Sequence, residues 1–139
     1  MFRQTAVESA LADYLPATFL KSPVIGSAFA KLSGPSALGF RTLENKQSYD
    51  ADATQGPDRW FLRGIVWAGV LWACRNPERP EGVDNLILPM WRKANAPPIE
   101  NDLVEARFGA ALAAAPPPQG ACFSEQIASR RLPLQKDPR

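Results

Sequence analysis

Three groups of side chains in this sequence could do chemistry. The first is acidic: Glu100, Asp102 and Glu105 sit close together, and Asp50 and Asp52 lie two apart. Paired carboxylates serve as acid and base when their surroundings push their pKa values apart. Carboxylate oxygens also suit a hard cation. Neither cluster has the spacing of a cation-binding loop. A helix start accounts for the first, because carboxylates complement the positive end of the helix dipole. The second group is basic: Arg59, Arg63, Arg75, Arg79, Arg130 and Arg131. Arg59 and Arg63 share one helix face beside Trp60, and arginine with tryptophan can hold single-stranded nucleic acid by phosphate contact and stacking. The same arginines can instead solubilise the ends of an apolar helix, their stems packed on tryptophan. The third group is Met90, Trp91, Arg92 and Lys93, on a short element broken by Pro89. Trp and Arg are enriched where interfaces concentrate their binding energy, so this is the candidate surface for another protein.

Other chemistry is excluded by residues the chain lacks. It has no histidine, so Ser-His-Asp and Cys-His catalysis and histidine zinc sites cannot be built from it alone. The Gly26–Gly34 stretch lacks the lysine and hydroxyl pattern of a phosphate loop. The stretch 34–39 misses the nucleophile-elbow spacing by one residue. No metal and no cofactor is expected. Cys74 falls inside an apolar run and is expected as a buried free thiol. With Cys122 far away and no CxxC, there is no disulfide framework to read. The first residues lack a basic region followed by an apolar run, so cytoplasm is the expected compartment. The abundance of alanine and proline fits a bacterial, phage or plasmid gene.

The elements that position these residues centre on Arg59 to Arg75, which holds three of the four tryptophans. Gly56-Pro57-Asp58 before it and Asn76-Pro77 after it are helix start and stop signals. Apolar residues lie on nearly all sides of the helix, so it should be buried or in a membrane. A span needs about 20 apolar residues, and the uncharged run from Gly64 to Cys74 is far shorter. A core helix over about 57–75 is the expectation, with no membrane. Gly64 and Gly69 weaken it unless a neighbour crosses closely.

Other helices are expected around this one. Thr5-Ala6-Val7-Glu8 fits a capping box, with a helix over about 5–15 and a turn of helix over 17–21. Ser22-Pro23 suggests a second helix over 23–33. Residues 37–43 could form a short strand or helical turn, and 44–58 read as an exposed loop. Val83, Leu86, Ile87, Met90 and Trp91 predict a helix over 83–88, interrupted at Pro89, with another turn to Lys93. Asn101 should cap a helix over 102–114. Pro116-Pro117-Pro118 reads as a stiff spacer, and Ser124 as the cap of a last helix to Arg131.

The expected fold is a single, mainly α domain, 1–131. It has five or six short helices, proline-rich connectors and at most one hairpin, followed by a flexible basic tail, 132–139. The net charge of +2 gives no global case for nucleic acid or acidic membranes. The function expected is a non-enzymatic protein–protein interaction module: a small cytoplasmic regulator, adaptor or inhibitor whose partner is another protein. One alternative is nucleic-acid binding through the arginines. The other is a histidine-free enzyme, which would need a deep pocket with convergent carboxylates.

Overall fold

Five helices and one two-stranded hairpin make up the residues that the computed structural model describes, 5–26, 41–49 and 59–133. They are α1 (Ala6–Leu20), β1 (Val24–Ile25), β2 (Arg41–Thr42), α2 (Arg59–Cys74), α3 (Glu81–Ala94), α4 (Asn101–Ala113) and α5 (Gln119–Ser129). The chain is a mainly α single domain, as its sequence pattern predicts. No helix among the described residues is long and apolar enough to cross a membrane.

The capping box at Thr5 forms in both directions. Glu8 N–H donates to Thr5 Oγ1 at 3.1 Å, and Thr5 N–H donates to Glu8 Oε2 at 3.0 Å. α1 then runs five residues beyond the expected end and carries Pro16 inside it. Proline removes one backbone bond, to the carbonyl four residues back. Here that residue is the exposed Ala12, so water can satisfy the freed carbonyl. The helix stops at Lys21, which takes the left-handed conformation with φ 52°. Lys21 N–H donates to Thr18 O and Ser22 N–H to Ala17 O, the paired bonds of a Schellman end.

The helix expected over 23–33 does not begin. Val24 and Ile25 are β-branched and pair antiparallel with Thr42 and Arg41, respectively. Leu43 N–H adds a bond to Pro23 O at 2.8 Å. Residues 27–40 and 50–58 lie outside the described residues. So do Gly56-Pro57-Asp58, the rest of the expected second helix and most of the expected loop.

α2 occupies the middle of the core. Val66, Trp67, Ala68, Val70 and Leu71 are buried. Trp67 meets Phe108 of α4 edge-on, with ring centroids 5.6 Å apart. α1 and α2 form the most extensive helix pair. Gly64 permits it: a Cβ there would stand 2.6 Å from Ser9 Cβ of α1. Trp60 and Trp72, at the two ends of α2, are only half-buried.

α3 is one helix rather than two, with Pro89 inside it at an exposed position. α4 begins one residue earlier than expected. Asn101 is its first helical residue and Glu100 precedes it without a side-chain cap bond. α5 begins five residues before the expected Ser124 cap. Pro116-Pro117-Pro118 is therefore no spacer. The Pro116 and Pro118 carbonyls accept from Gly120 and Cys122 N–H at 3.2 Å each, opening the helix. Any Cβ at Gly120 would collide with the Ala115 carbonyl, so glycine lets α5 fold back against the end of α4. Ser124 lies inside α5, its hydroxyl donating to Gly120 O at 2.9 Å.

Cys74 is not a free thiol. It forms a disulfide with Cys122, Cα to Cα 5.7 Å, joining the end of α2 to α5 across 48 positions of sequence. No spacing motif announces the pair, because only tertiary packing brings the two helices together. Leu132, expected in the tail, is buried and its N–H donates to Ile127 O at 3.1 Å. Residues 134–139 lie outside the described residues.

Candidate functional site

α1 presents apolar side chains on two opposite faces. Ala6, Val7, Ala10, Tyr14 and Ala17 are buried. Ala12, Leu15, Pro16, Phe19 and Leu20 follow the spacing i, i+3, i+4, i+7, i+8, and all five are exposed. Such spacing lines one face of a helix. Phe19 is 87% exposed, Leu20 63% and Leu15 43%. Large contiguous apolar patches are uncommon on the surface of monomeric domains, which makes this face a candidate interaction site. The exposed Lys21 closes the stripe at its C-terminal end.

The buried side of α1 also carries polar ties to its neighbours. Asp13 is buried and forms an ion pair with Arg41 of β2, whose guanidinium lies over the Phe61 ring at 5.0 Å. The Tyr14 hydroxyl donates to Asp84 of α3, and Arg75 pairs with the same carboxylate at 3.3 Å. Burial, then the Asp84 carboxylate, push the Tyr14 hydroxyl well above its ordinary pKa, so it remains a donor. The open face is therefore held on a rigidly anchored helix.

Of the sequence-predicted patch, Met90 and Trp91 are half-buried against the core, while Arg92 and Lys93 are exposed. Trp91 Nε1 and Asn95 Oδ1 are buried without partners. The patch thus divides into two packed and two solvent-facing side chains.

The predicted basic residues do not form one surface. Arg59 and Arg75 lie at opposite ends of α2, roughly 24 Å apart by the helical rise. Arg59 covers Trp60 at 4.7 Å and Arg79 is exposed on the connector. Arg63 lies between the Trp60 and Tyr49 rings, at 5.1 and 4.8 Å, and pairs with Asp102 at 3.1 Å. Arg75 covers Trp72 at 5.3 Å in addition to pairing with Asp84. Arg130 is 6% exposed, while Arg131 is exposed, with φ 55°.

Among the predicted acids, Glu105 is not simply a helix-start charge. It is 0% exposed and accepts from the Tyr49 hydroxyl at 2.6 Å; Trp67 Nε1 in turn donates to the Tyr49 oxygen at 3.0 Å. Arg63 Nη1 stands 3.8 Å from Glu105 Oε2, and Glu105 Oε1 has no partner. Burial raises the Glu105 carboxyl from its ordinary 4.5 to about 7, although the Tyr49 bond and Arg63 pull it down. Burial and the Glu105 charge hold the Tyr49 hydroxyl far above its ordinary value. The cluster ties the segment before α2 to both α2 and α4. Among the described residues, no group of three or more His, Cys, Asp or Glu could hold a metal.

Sequence reasoning missed the α1 stripe because it ended that helix before Pro16. The signal was present: Ala12, Leu15, Pro16, Phe19 and Leu20 carry the helical period across the proline. Compared with protein-family models, curated proteins and solved structures, the chain matches none.

Proposed function

We propose that this chain is a non-enzymatic protein-interaction module, a small regulator, adaptor or inhibitor, that docks a partner protein on the open face of α1. The observation that carries the reading is the exposed run Leu15, Phe19 and Leu20 on a helix whose other face is buried. The partner surface that fits is apolar, with an acidic edge to meet Lys21. Binding of this kind needs shape and burial of an aromatic anchor, not reactive groups. The module acts by covering or bridging its partner's surface.

The nucleic-acid reading draws less support, because Arg63, Arg75 and Arg130 already serve internal carboxylates, rings and carbonyls. Salt separates the two readings: phosphate-driven binding falls steeply with salt concentration, whereas an apolar interface does not. The Cys74–Cys122 bridge supports an oxidising compartment, where disulfides persist, over the cytoplasm expected from sequence.

Affinity capture from the native host tests the proposal, with the wild-type chain and Phe19→Glu compared after nuclease treatment. The expected result is a protein retained by the wild type, lost by F19E, and insensitive to nuclease, while F19E melts like the wild type. Capture of the same protein by F19E, or its release by nuclease, overturns the reading.

A further inference from the structure

Arg130 follows α5 and turns back into the space between α2 and the segment after β2. Its guanidinium is almost wholly enclosed, yet every acceptor it meets is neutral. Nε donates to Gln126 Oε1 at 3.2 Å, Nη1 to Asn45 Oδ1 at 2.8 Å and to Gln47 O at 3.4 Å, and Nη2 to Asn45 O at 2.6 Å. No carboxylate among the described residues forms an ion pair with it. A guanidinium has five N–H donors, so one on Nη2 remains. Buried charges are ordinarily balanced by a counter-charge. Desolvation lowers the pKa of this one, and its neighbours return hydrogen bonds without opposite charge.

Arg130 also lines a cavity of about 660 Å³, together with Lys46, Gln126, Asn45, Trp72 and Ala73. That volume falls in the range of small-molecule sites, roughly 300–1,000 Å³. Its charged lining residues are Arg130, the exposed Lys46 and the exposed Glu44, a net positive charge. Trp72, half-buried, Leu43 and Ala73 supply an apolar wall. Gly69 makes the arrangement possible: a Cβ there would stand 2.7 Å from Arg130 Nη1, so the bare helix lets the guanidinium lie against it.

The geometry points to a binding site for a small organic anion, its carboxylate or phosphate group facing Arg130 and Lys46 and its flat apolar body against Trp72. The enclosed Arg130 guanidinium, bonded to neutral acceptors alone, selects the anionic group, and the wall selects the apolar body. This site is separate from the open face of α1 and does not depend on the docking proposal.

Phenyl phosphate, benzoate, inorganic phosphate and neutral benzyl alcohol are suitable probes for the full-length oxidised protein. Phenyl phosphate or benzoate should raise the melting temperature, as any ligand of the folded state does, and shift the Trp72 indole N–H resonance. The stronger of the two identifies the oxyanion preferred. Benzyl alcohol at the same concentration should do neither, and inorganic phosphate should bind more weakly. Lys46→Gln, at an exposed position, should weaken binding about twofold to fivefold, the scale of a surface charge.

A second variant does not depend on a damaged fold. Ala73 is exposed and sits one helical turn after Gly69. A long side chain on a helix leans back toward the N-terminus, so Ala73→Glu should lay a carboxylate over Gly69 onto Arg130. It should abolish phenyl phosphate binding and melt above the wild type. Equal binding of benzyl alcohol, an Ala73→Glu protein that binds phenyl phosphate normally, or one that melts below the wild type would overturn the proposal. An inorganic phosphate response equal to that of phenyl phosphate would overturn its apolar half.

Discussion

α1 and α2 are both apolar on more than one face, and the fold treats them differently. α2 is covered from several directions. Ser9 of α1 packs against Gly64, Phe108 of α4 against Trp67, Arg130 against Gly69, and Asn45 Nδ2 donates to Ile65 O at 3.3 Å. α1 is covered on one side only, and Leu15, Phe19 and Leu20 face solvent. Apolar periodicity shows which faces gain by being covered. Which of them are covered within the chain depends on where the neighbouring elements end. α2 lies between partners, while α1 lies at the margin with one face to spare.

Paired aromatic substitutions put the contrast to the sharpest test. Trp67→Ala should cost about 3–5 kcal/mol, as truncations of buried aromatics do. It removes both the packing on Phe108 and the donor to Tyr49. Urea unfolding measures the cost, and an unchanged midpoint would mean that α2 is not the buried member of the pair.

A smaller loss is expected where α2 is fastened. Cys74→Ser with Cys122→Ser should lower stability by about 2–4 kcal/mol, the usual range for a bridge closing a long loop. Reduction of the wild type should move the melting temperature in the same direction. If neither does, packing alone fixes the end of α2.

The polar fastening of α2 responds to pH. Glu105 holds its proton to about pH 7 when folded, against 4.5 ordinarily. The folded state therefore binds that proton more tightly than the unfolded state does. The resulting stabilisation is complete below about pH 4.5 and is lost as pH rises through 7. Glu105→Gln lacks this titration and should gain on the wild type by roughly 1–3 kcal/mol between pH 5 and 8. Parallel stability–pH curves for the two proteins would mean that Glu105 titrates alike folded and unfolded.

The smallest effect belongs to α1. Phe19→Ser should change stability by less than about 0.5 kcal/mol, as exposed substitutions usually do, despite removing an aromatic ring from an apolar helix. A loss comparable with that of Trp67→Ala would show that the outer face is covered in solution, and the contrast between the helices would vanish.

The sequence revealed the parts of the fold that depend on neighbouring residues. The Thr5–Glu8 box, the burial of Trp67 and the close crossing at Gly64 follow from local spacing and size. Prolines were read too strictly. Pro16 and Pro89 sit at exposed positions, where solvent can take the place of the missing bond, so their helices continue. Pro116 and Pro118 lend their carbonyls to the start of α5. Ser22-Pro23 resembled a helix start, but Val24 and Ile25 found strand partners at Arg41 and Thr42, a pairing set across the chain. The candidate sites show the same division. The exposure of Arg92 and Lys93 agrees with their composition. The enclosure of Arg130, the burial of Glu105 and the bridging of Cys74 were hidden, because each depends on a residue far away in sequence.

The covalent link between α2 and α5 also shapes how the chain would bear tension. Stretched from its two ends, the oxidised protein can lengthen only through the residues outside the bridge. The 48-position segment that the bridge encloses stays slack, withholding roughly 160 Å of extended length until a reductant releases it.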